Sequence, residues 1–183
     1  EAGRGAWAGP VCAGVVVLPP ARRDLCARLA GVRDSKQMTP QQRERWVAVI
    51  RAEAACWGVG FASAAEIDAL GILPATRMAM QRALAQLPAP PQHLLLDALR
   101  LPGVHLPQTA LIKGDMRSLS IAAASVLAKT ARDVYMQALE ALYPGYGFAA
   151  HKGYGTAQHA AALLRLGPCP LHRRSYAPVM RVA

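Results

Sequence analysis

The first uninterrupted apolar run is Pro10–Leu18, rich in Val and small residues and closed by Pro19 and Pro20. A run of that length between turn residues predicts a buried strand. Leu25–Leu29 predicts a short helical piece. Thr39-Pro40-Gln41-Gln42 predicts a helix start: Thr39 caps, Pro40 suits the first helical position, and Gln42 completes a capping box. That helix is expected to run to Ala54. Cys56–Ala62 alternates, with Trp57, Val59 and Phe61 sharing one face, and predicts a strand. Ser63-Ala64-Ala65-Glu66 repeats the capping-box pattern and opens a helix that ends at Gly71. A further helix is expected over Pro74–Gln86, stopped by Pro88, Pro90 and Pro91.

The second half continues the alternation. His93–Asp97 and Ala110–Lys113 are expected strands, and Ser118–Leu142 a long helix with Ala122, Ala123 and Ala124 on its early turns. Pro144-Gly145-Tyr146-Gly147 breaks it, Thr156–Leu166 is the last helix, and the chain from Gly167 is irregular and basic. Strands alternating with helices predict an α/β architecture with helices on the sheet faces. No repeat or low-complexity tract interrupts it.

Size and charge narrow the class. With 183 residues, 53% of them hydrophobic, the chain is expected to form a single domain over 1–183 with a full core. Residues from about 143 onward form a small helical and basic C-terminal part. Every window long enough to span a bilayer is broken by charge or by Gly and Pro. Cys12, Cys26, Cys56 and Cys169 are scattered and form no C-x-x-C pair, which points to free thiols in a reducing cytoplasm. The sequence starts at Glu1 without methionine, so it is expected to be a trimmed piece of a longer chain. The formal charge of +10 favours an anionic partner, nucleic acid ahead of a membrane surface, with mere solubility as the plain alternative. Arginines number 17 and lysines four, and Lys36, Lys113, Lys129 and Lys152 all fall in chemistry-bearing segments. A compact ammonium is not interchangeable with a planar guanidinium, so these positions are candidates for requiring lysine.

Only 11 acids are present, which makes their placement informative. Asp97 ends the apolar strand, Asp115 follows the next strand through Gly114, and Glu1 precedes Ala2-Gly3-Arg4-Gly5. Carboxylates at strand ends of an α/β domain lie where active sites collect. Brought together they repel and need a cation, and hard oxygen ligands suit Mg²⁺ or Mn²⁺. Taken singly, each acid reads first as a solvated strand end or a helix cap. Gly3-Arg4-Gly5 is a loop in which backbone could approach a ligand closely, or an ordinary turn. Ser35 and Lys36 precede a helix start and could hold a phosphate, or form a common polar loop. Ser118, Ser120 and Ser125 either cap and pack or favour an anion at a helix N-terminus. His151-Lys152-Gly153-Tyr154-Gly155-Thr156 sets an aromatic between glycines, suited to stacking on a sugar or base or to a core turn. His172-Arg173-Arg174-Ser175 is a basic run that by itself reads as a solvated segment.

In their order along the chain these segments carry a specific likeness. Glu-Ala-Gly-Arg-Gly at 1–5, Ala8-Gly9-Pro10-Val11, Asp34-Ser35-Lys36, Glu66-Ile67-Asp68, Lys113-Gly114-Asp115, Ser120-Ile121-Ala122-Ala123-Ala124-Ser125, Ala128-Lys129, Arg132-Asp133, Tyr146-Gly147-Phe148, His151-Lys152-Gly153-Tyr154 and His172-Arg173-Arg174-Ser175 closely resemble ribonuclease HII, over essentially the whole chain. The resemblance implies a ribonuclease H-like mixed sheet flanked by helices, with a small C-terminal helical part. It implies a monomeric endonuclease that cuts the RNA strand of RNA–DNA hybrids, including single ribonucleotides embedded in duplex DNA, leaving 5′-phosphate and 3′-hydroxyl ends.

It also implies roles. The family holds two divalent ions, Mg²⁺ or Mn²⁺, with four carboxylates, and Glu1, Asp97 and Asp115 are three of them. The fourth is an Asp that in the family immediately precedes Glu1. Ala98-Leu99 stands where the family usually has Gly-Asn. Gly3, Arg4 and Gly5 would contact the 2′-hydroxyl and Tyr154 would stack on the adjacent deoxyribose, while Ser35, Lys36, Lys152 and Arg173 would contact phosphates. A binding module that grips hybrids without cutting stays open as the alternative.

Overall fold

The computed structural model describes residues 1–182. β1 (Val11–Val17) and β2 (Cys56–Ala62) pair antiparallel along their whole length, from Val11 opposite Ala62 to Val17 opposite Cys56. β3 (Leu94–Asp97) and β4 (Gln108–Leu111) pair in parallel. Around them lie α1 (Leu25–Arg28), a 3₁₀ turn at Ser35–Gln37, α2 (Pro40–Glu53), α3 (Ala64–Leu70) and α4 (Ile72–Leu84). The second half adds α5 (Gly114–Arg117), α6 (Leu119–Ala138), α7 (Phe148–His151), α8 (Ala157–Leu166) and α9 (Ala177–Met180).

The alternation in β2 has a cause the sequence does not announce. Trp57 and Val59 pack into the cluster built on α6 and α2. The opposite face is glycine because α4 lies on it. A Cβ at Gly60 would stand 2.2 Å from the Ala79 carbonyl oxygen, and one at Gly58 2.6 Å from that of Ala83. β1 divides likewise: Val11 and Ala13 join the α3–α4 cluster, whereas Val16 joins that of α6. At Gly14 a Cβ would meet the Ala124 carbonyl oxygen at 2.4 Å, so α6 is seated directly on the strand. This sheet is covered on both faces. On the free edge of β2 the Gln86 amide bonds both the N–H and the C=O of Val59, blocking strand addition at that point.

Both capping boxes form, Thr39 with Gln42 and Ser63 with Glu66. α4 begins at Ile72, two residues before the expected start, because Gly71 at φ +82° reverses the chain directly after α3. β4 lies two residues earlier than expected. The Gln108 side chain ties back to the main chain of Leu101 and Val104, which starts the strand there. Lys113, at φ +54°, has already left it.

Among the described residues no ladder joins β1 to β3. Gly14–Val17 and Leu94–Asp97 instead face each other across a cavity of about 310 Å³, with Ser120, Ile121, Ala124 and Ser125 of α6 along it and Glu1 at its wall. Two buried arginines brace the chain leading into β1. Arg132 of α6 donates to the carbonyls of Ala8, Pro10 and Lys152. Arg173 donates to those of Gly3, Arg4 and Gly9. A guanidinium spreads its donors in a rigid plane, so each residue fixes several main-chain groups at once. No described helix is long and apolar enough to cross a membrane.

Candidate active site

Glu1 stands between two openings. One is the cavity between β1 and β3, whose wall also carries Asp97. The other, of about 450 Å³, is lined by Glu1, Ala2, Gly3, Arg4, Gly5, Ser35, Lys36, Ile72, Lys129 and Tyr154. Ala2 is locked to Cys12 by a two-bond antiparallel bridge, N–H to O at 2.7 and 2.9 Å, which fixes where the Glu1 side chain leaves the backbone. Glu1 Oε1 lies 3.6 Å from an Arg4 nitrogen, while Oε2 is buried with no hydrogen-bond partner.

Asp97 closes β3, and its Oδ1 accepts the Gly114 N–H at 2.9 Å. Gly114 packs closely there: a Cβ would stand 2.7 Å from Ile121 Cδ1, so the Ile121 side chain would have to shift. Asp115, next in the chain, is thereby held beside Asp97. Burial raises its carboxyl above the usual range, and Asp34 and Asp97 push it further, against the pull of Lys36. It opens into a separate depression that also carries Asp34. The structure therefore brings Glu1 and Asp97 to one cavity and couples Asp97 to Asp115 through Gly114. Among the described residues, however, no three acids, histidines or cysteines stand close enough to form a ready-made ion cage.

The second opening gathers most of the residues expected to read substrate. Gly3 adopts φ +89°, and a Cβ on it would fall 2.0 Å from Arg132 Nε. Gly5 is exposed, and nothing lies within 4 Å of where its Cβ would be. Ser35 is buried in the 3₁₀ turn and Lys36 is exposed beside it. Tyr154 carries Lys129 Nζ 5.1 Å and the Arg132 guanidinium 5.2 Å from its ring centre. Gly153, at φ +81°, admits the Ala8 carbonyl where a Cβ would stand.

Two expected phosphate contacts are placed differently. Arg173 is fully buried, and its donors go to main-chain carbonyls and the Tyr176 hydroxyl. It supports the Gly3–Arg4 loop from beneath: four of its five N–H donors are committed there and the side chain is shut off from solvent, out of reach of a phosphate. Lys152 lies outside the lining of the opening, and its ammonium bonds the Ala149 carbonyl. Burial lowers its pKa. Lys129 also lines this opening; its segment Ala128-Lys129 belongs to the likeness and it is one of only four lysines, but no contact was expected of it.

A chain of imidazoles carries Tyr154. His159 Nδ1 lies 3.0 Å from the Tyr154 carbonyl, so that nitrogen bears the proton. His159 Nε2 therefore accepts from His172 Nε2, 3.0 Å away, and His172 Nδ1 accepts the Cys169 N–H. Burial is the main cause that lowers both rings to pKa values of about 4.

Comparison with known proteins agrees with this reading. The family model described as Ribonuclease HII matches residues 1–179. The Ribonuclease HII of Chloroflexus aurantiacus is 57% identical over 180 residues, covering 98% of this chain and 85% of that protein. The crystal structure of ribonuclease H2 from Pyrococcus horikoshii OT3 superposes with a TM-score of 0.77 at 27% identity, covering 100% of this chain and 93% of that one. Bst-RNase HIII, solved in complex with Mn²⁺, shares the fold at a TM-score of 0.75 and 19% identity, covering 100% of this chain and 67% of that one. The carboxylates at the ends of the strands thus sit in a ribonuclease H-like α/β frame, and the chain belongs to the ribonuclease HII family.

Proposed function

We propose that this chain is an endonuclease that hydrolyses the RNA strand of RNA–DNA hybrids, including single ribonucleotides embedded in duplex DNA. The observation that carries the reading is the position of Glu1, whose carboxylate belongs both to the cavity of Asp97 and to the opening walled by Gly3, Arg4, Gly5 and Tyr154. Chemistry and ribose recognition therefore share one residue.

The acids suit a hard divalent cation, Mg²⁺ or Mn²⁺. Glu1 Oε2 is buried without a partner, and Asp115 is pushed toward its neutral form by neighbouring acids. A cation held by these acids would relieve both costs. Glu1, Asp97 and Asp115 would hold it after their side chains move together, since no closed cage stands ready. When bound, such ions supply an acidified water and neutralise charge on the phosphodiester.

The remaining work falls to this chain's own groups. Exposed Gly5 offers the opening to a ribose 2′-hydroxyl, the group that separates RNA from DNA, beside Gly3 and Arg4, whose carbonyls are held by Arg173. The Tyr154 ring, held over Lys129 and Arg132, offers a flat face to the neighbouring deoxyribose. Ser35 and Lys36 stand at the same opening for the phosphate backbone.

A duplex carrying one ribonucleotide, incubated with Mg²⁺ or Mn²⁺, tests the reading by strand nicking. Asp97→Asn is expected to abolish nicking and leave binding largely intact. Tyr154→Ala is expected to lower nicking at a lone ribonucleotide by roughly tenfold or more, about 1.4 kcal/mol. An unchanged rate in either variant removes that residue from its role. The spacing of the acids motivates a second reading, a hybrid-binding module that does not cut. Binding without any nicking by the unaltered chain would favour it.

A further inference from the structure

We infer that Lys129 is a phosphate-binding side chain of the opening beside Glu1, and that Arg43 and Asp133 position it together with the Ser35–Lys36 turn; this rests on the hybrid-nuclease reading above. Arg43 comes from α2, and Lys129 and Asp133 come from successive turns of α6. One Arg43 nitrogen donates to the carbonyls of Ser35, at 3.1 Å, and Met38, at 2.6 Å. The other donates to Asp133 Oδ2 at 3.0 Å. Asp133 Oδ1 accepts from Lys129 Nζ at 2.6 Å. A single guanidinium therefore anchors both the turn that presents Lys36 and the acid that holds Lys129.

Charge makes this more than a structural ion pair. Arg43 and Asp133 alone would be neutral. Lys129 leaves the group one positive charge in excess, although the three side chains are only 9%, 12% and 16% exposed. An unbalanced charge held away from water is costly unless an anion completes the set. The excess faces the opening. Lys129 lines it, spends one N–H on Asp133, and makes no other hydrogen bond among the described residues. Its remaining N–H groups share the opening with Lys36 and the Tyr154 ring. A phosphate of a strand lying across Tyr154 is the anion of matching charge and geometry.

The test measures binding of a ribonucleotide-containing duplex by fluorescence anisotropy in EDTA, so that cutting plays no part. Lys129→Gln is expected to weaken binding roughly tenfold, the scale of one charge-assisted contact. It is also expected to reduce the slope of log affinity against log salt by about 1. Its thermal midpoint is expected to hold or rise, because an unbalanced charge has gone. A purely structural lysine would instead lower the midpoint and leave the salt slope unchanged, and that result overturns the proposal. Asp133→Asn is expected to weaken binding by roughly threefold or more in the unaltered chain and by less in the Lys129→Gln background. Equal effects in both backgrounds overturn the positioning role. Should Asp133→Asn fail to fold, Lys129→Gln decides alone, since Lys129 sits on the wall of the opening. Normal binding and the expected Lys129 effect, with no nicking by the unaltered chain, would refute only the nuclease reading. Failure of the unaltered chain to bind the duplex would refute both.

Discussion

Acidification should weaken this fold well before carboxylates begin to protonate, through the pair His159 and His172. Both rings are buried, at 0% and 2% exposure, and joined Nε2 to Nε2 at 3.0 Å. Each must stay neutral: a second proton would set N–H against N–H. Burial is the largest cause holding both pKa values near 4; His151 adds repulsion on His159, while His159, His151 and Arg174 add it on His172. An unfolded ring protonates near 6.5. Between pH 6.5 and 4 the unfolded chain therefore binds more protons, and stability falls as pH falls. Above 6.5 both states are neutral and the full stability is present. At about 1.4 kcal/mol per pKa unit, a ring lowered from 6.5 to about 4 costs on the order of 3 kcal/mol once the window is crossed. The rings share one hydrogen bond, so the two costs do not simply add. Even one is large against a typical stability of about 5–15 kcal/mol. Urea melts at pH 7.5, 6.0 and 5.0 measure it. His172→Gln, which keeps a donor toward His159, should flatten the dependence substantially. Equal midpoints at pH 7.5 and 5.0 would refute the argument.

Other perturbations follow from the same geometry. Ala98 occupies φ +60°, so Ala98→Gly should stabilise by about 0.5–1 kcal/mol, the left-handed strain relieved less the entropy of glycine, as read from denaturant melts. Arg173→Lys leaves several main-chain carbonyls without donors and should cost about 3 kcal/mol. If Arg173 instead met phosphate, binding would suffer and stability would not. Gly3→Ala should destabilise by roughly 2 kcal/mol or more, because Arg132 fills the space and φ is positive; an unchanged melting temperature would contradict that packing.

Much of the frame was legible because local chemistry specifies it. Thr39 with Gln42 and Ser63 with Glu66 cap as their spacing predicts, since both partners lie within one turn. The Cys56–Ala62 strand was legible too, but not the reason for its glycines, which depends on α4 arriving from later in the chain. β4 was misplaced by two residues because its start is set by Gln108 folding back on Leu101 and Val104. In the site, the segments that meet at Glu1 were found from their residue types. Arg173 was misjudged for a physical reason. A basic run suggests solvent or phosphate, whereas its partners are carbonyls more than 160 residues earlier, with no side-chain signature. Lys129 and Asp133 lie one turn apart in segments that carry the likeness, but Arg43 joining them was not legible, since α2 and α6 meet only in three dimensions.

The two glycines flanking Arg4 carry unequal information for anyone dissecting this enzyme by mutagenesis. At position 3 the molecule itself objects to a methyl group, so lost activity there confounds misfolding with lost recognition. At position 5 the chain is indifferent, and whatever a methyl group meets must be the nucleic acid. Alanine at 5 is thus a steric ruler: the penalty it imposes on ribose-containing substrate, compared with all-DNA duplex, reports how near the sugar comes to the backbone.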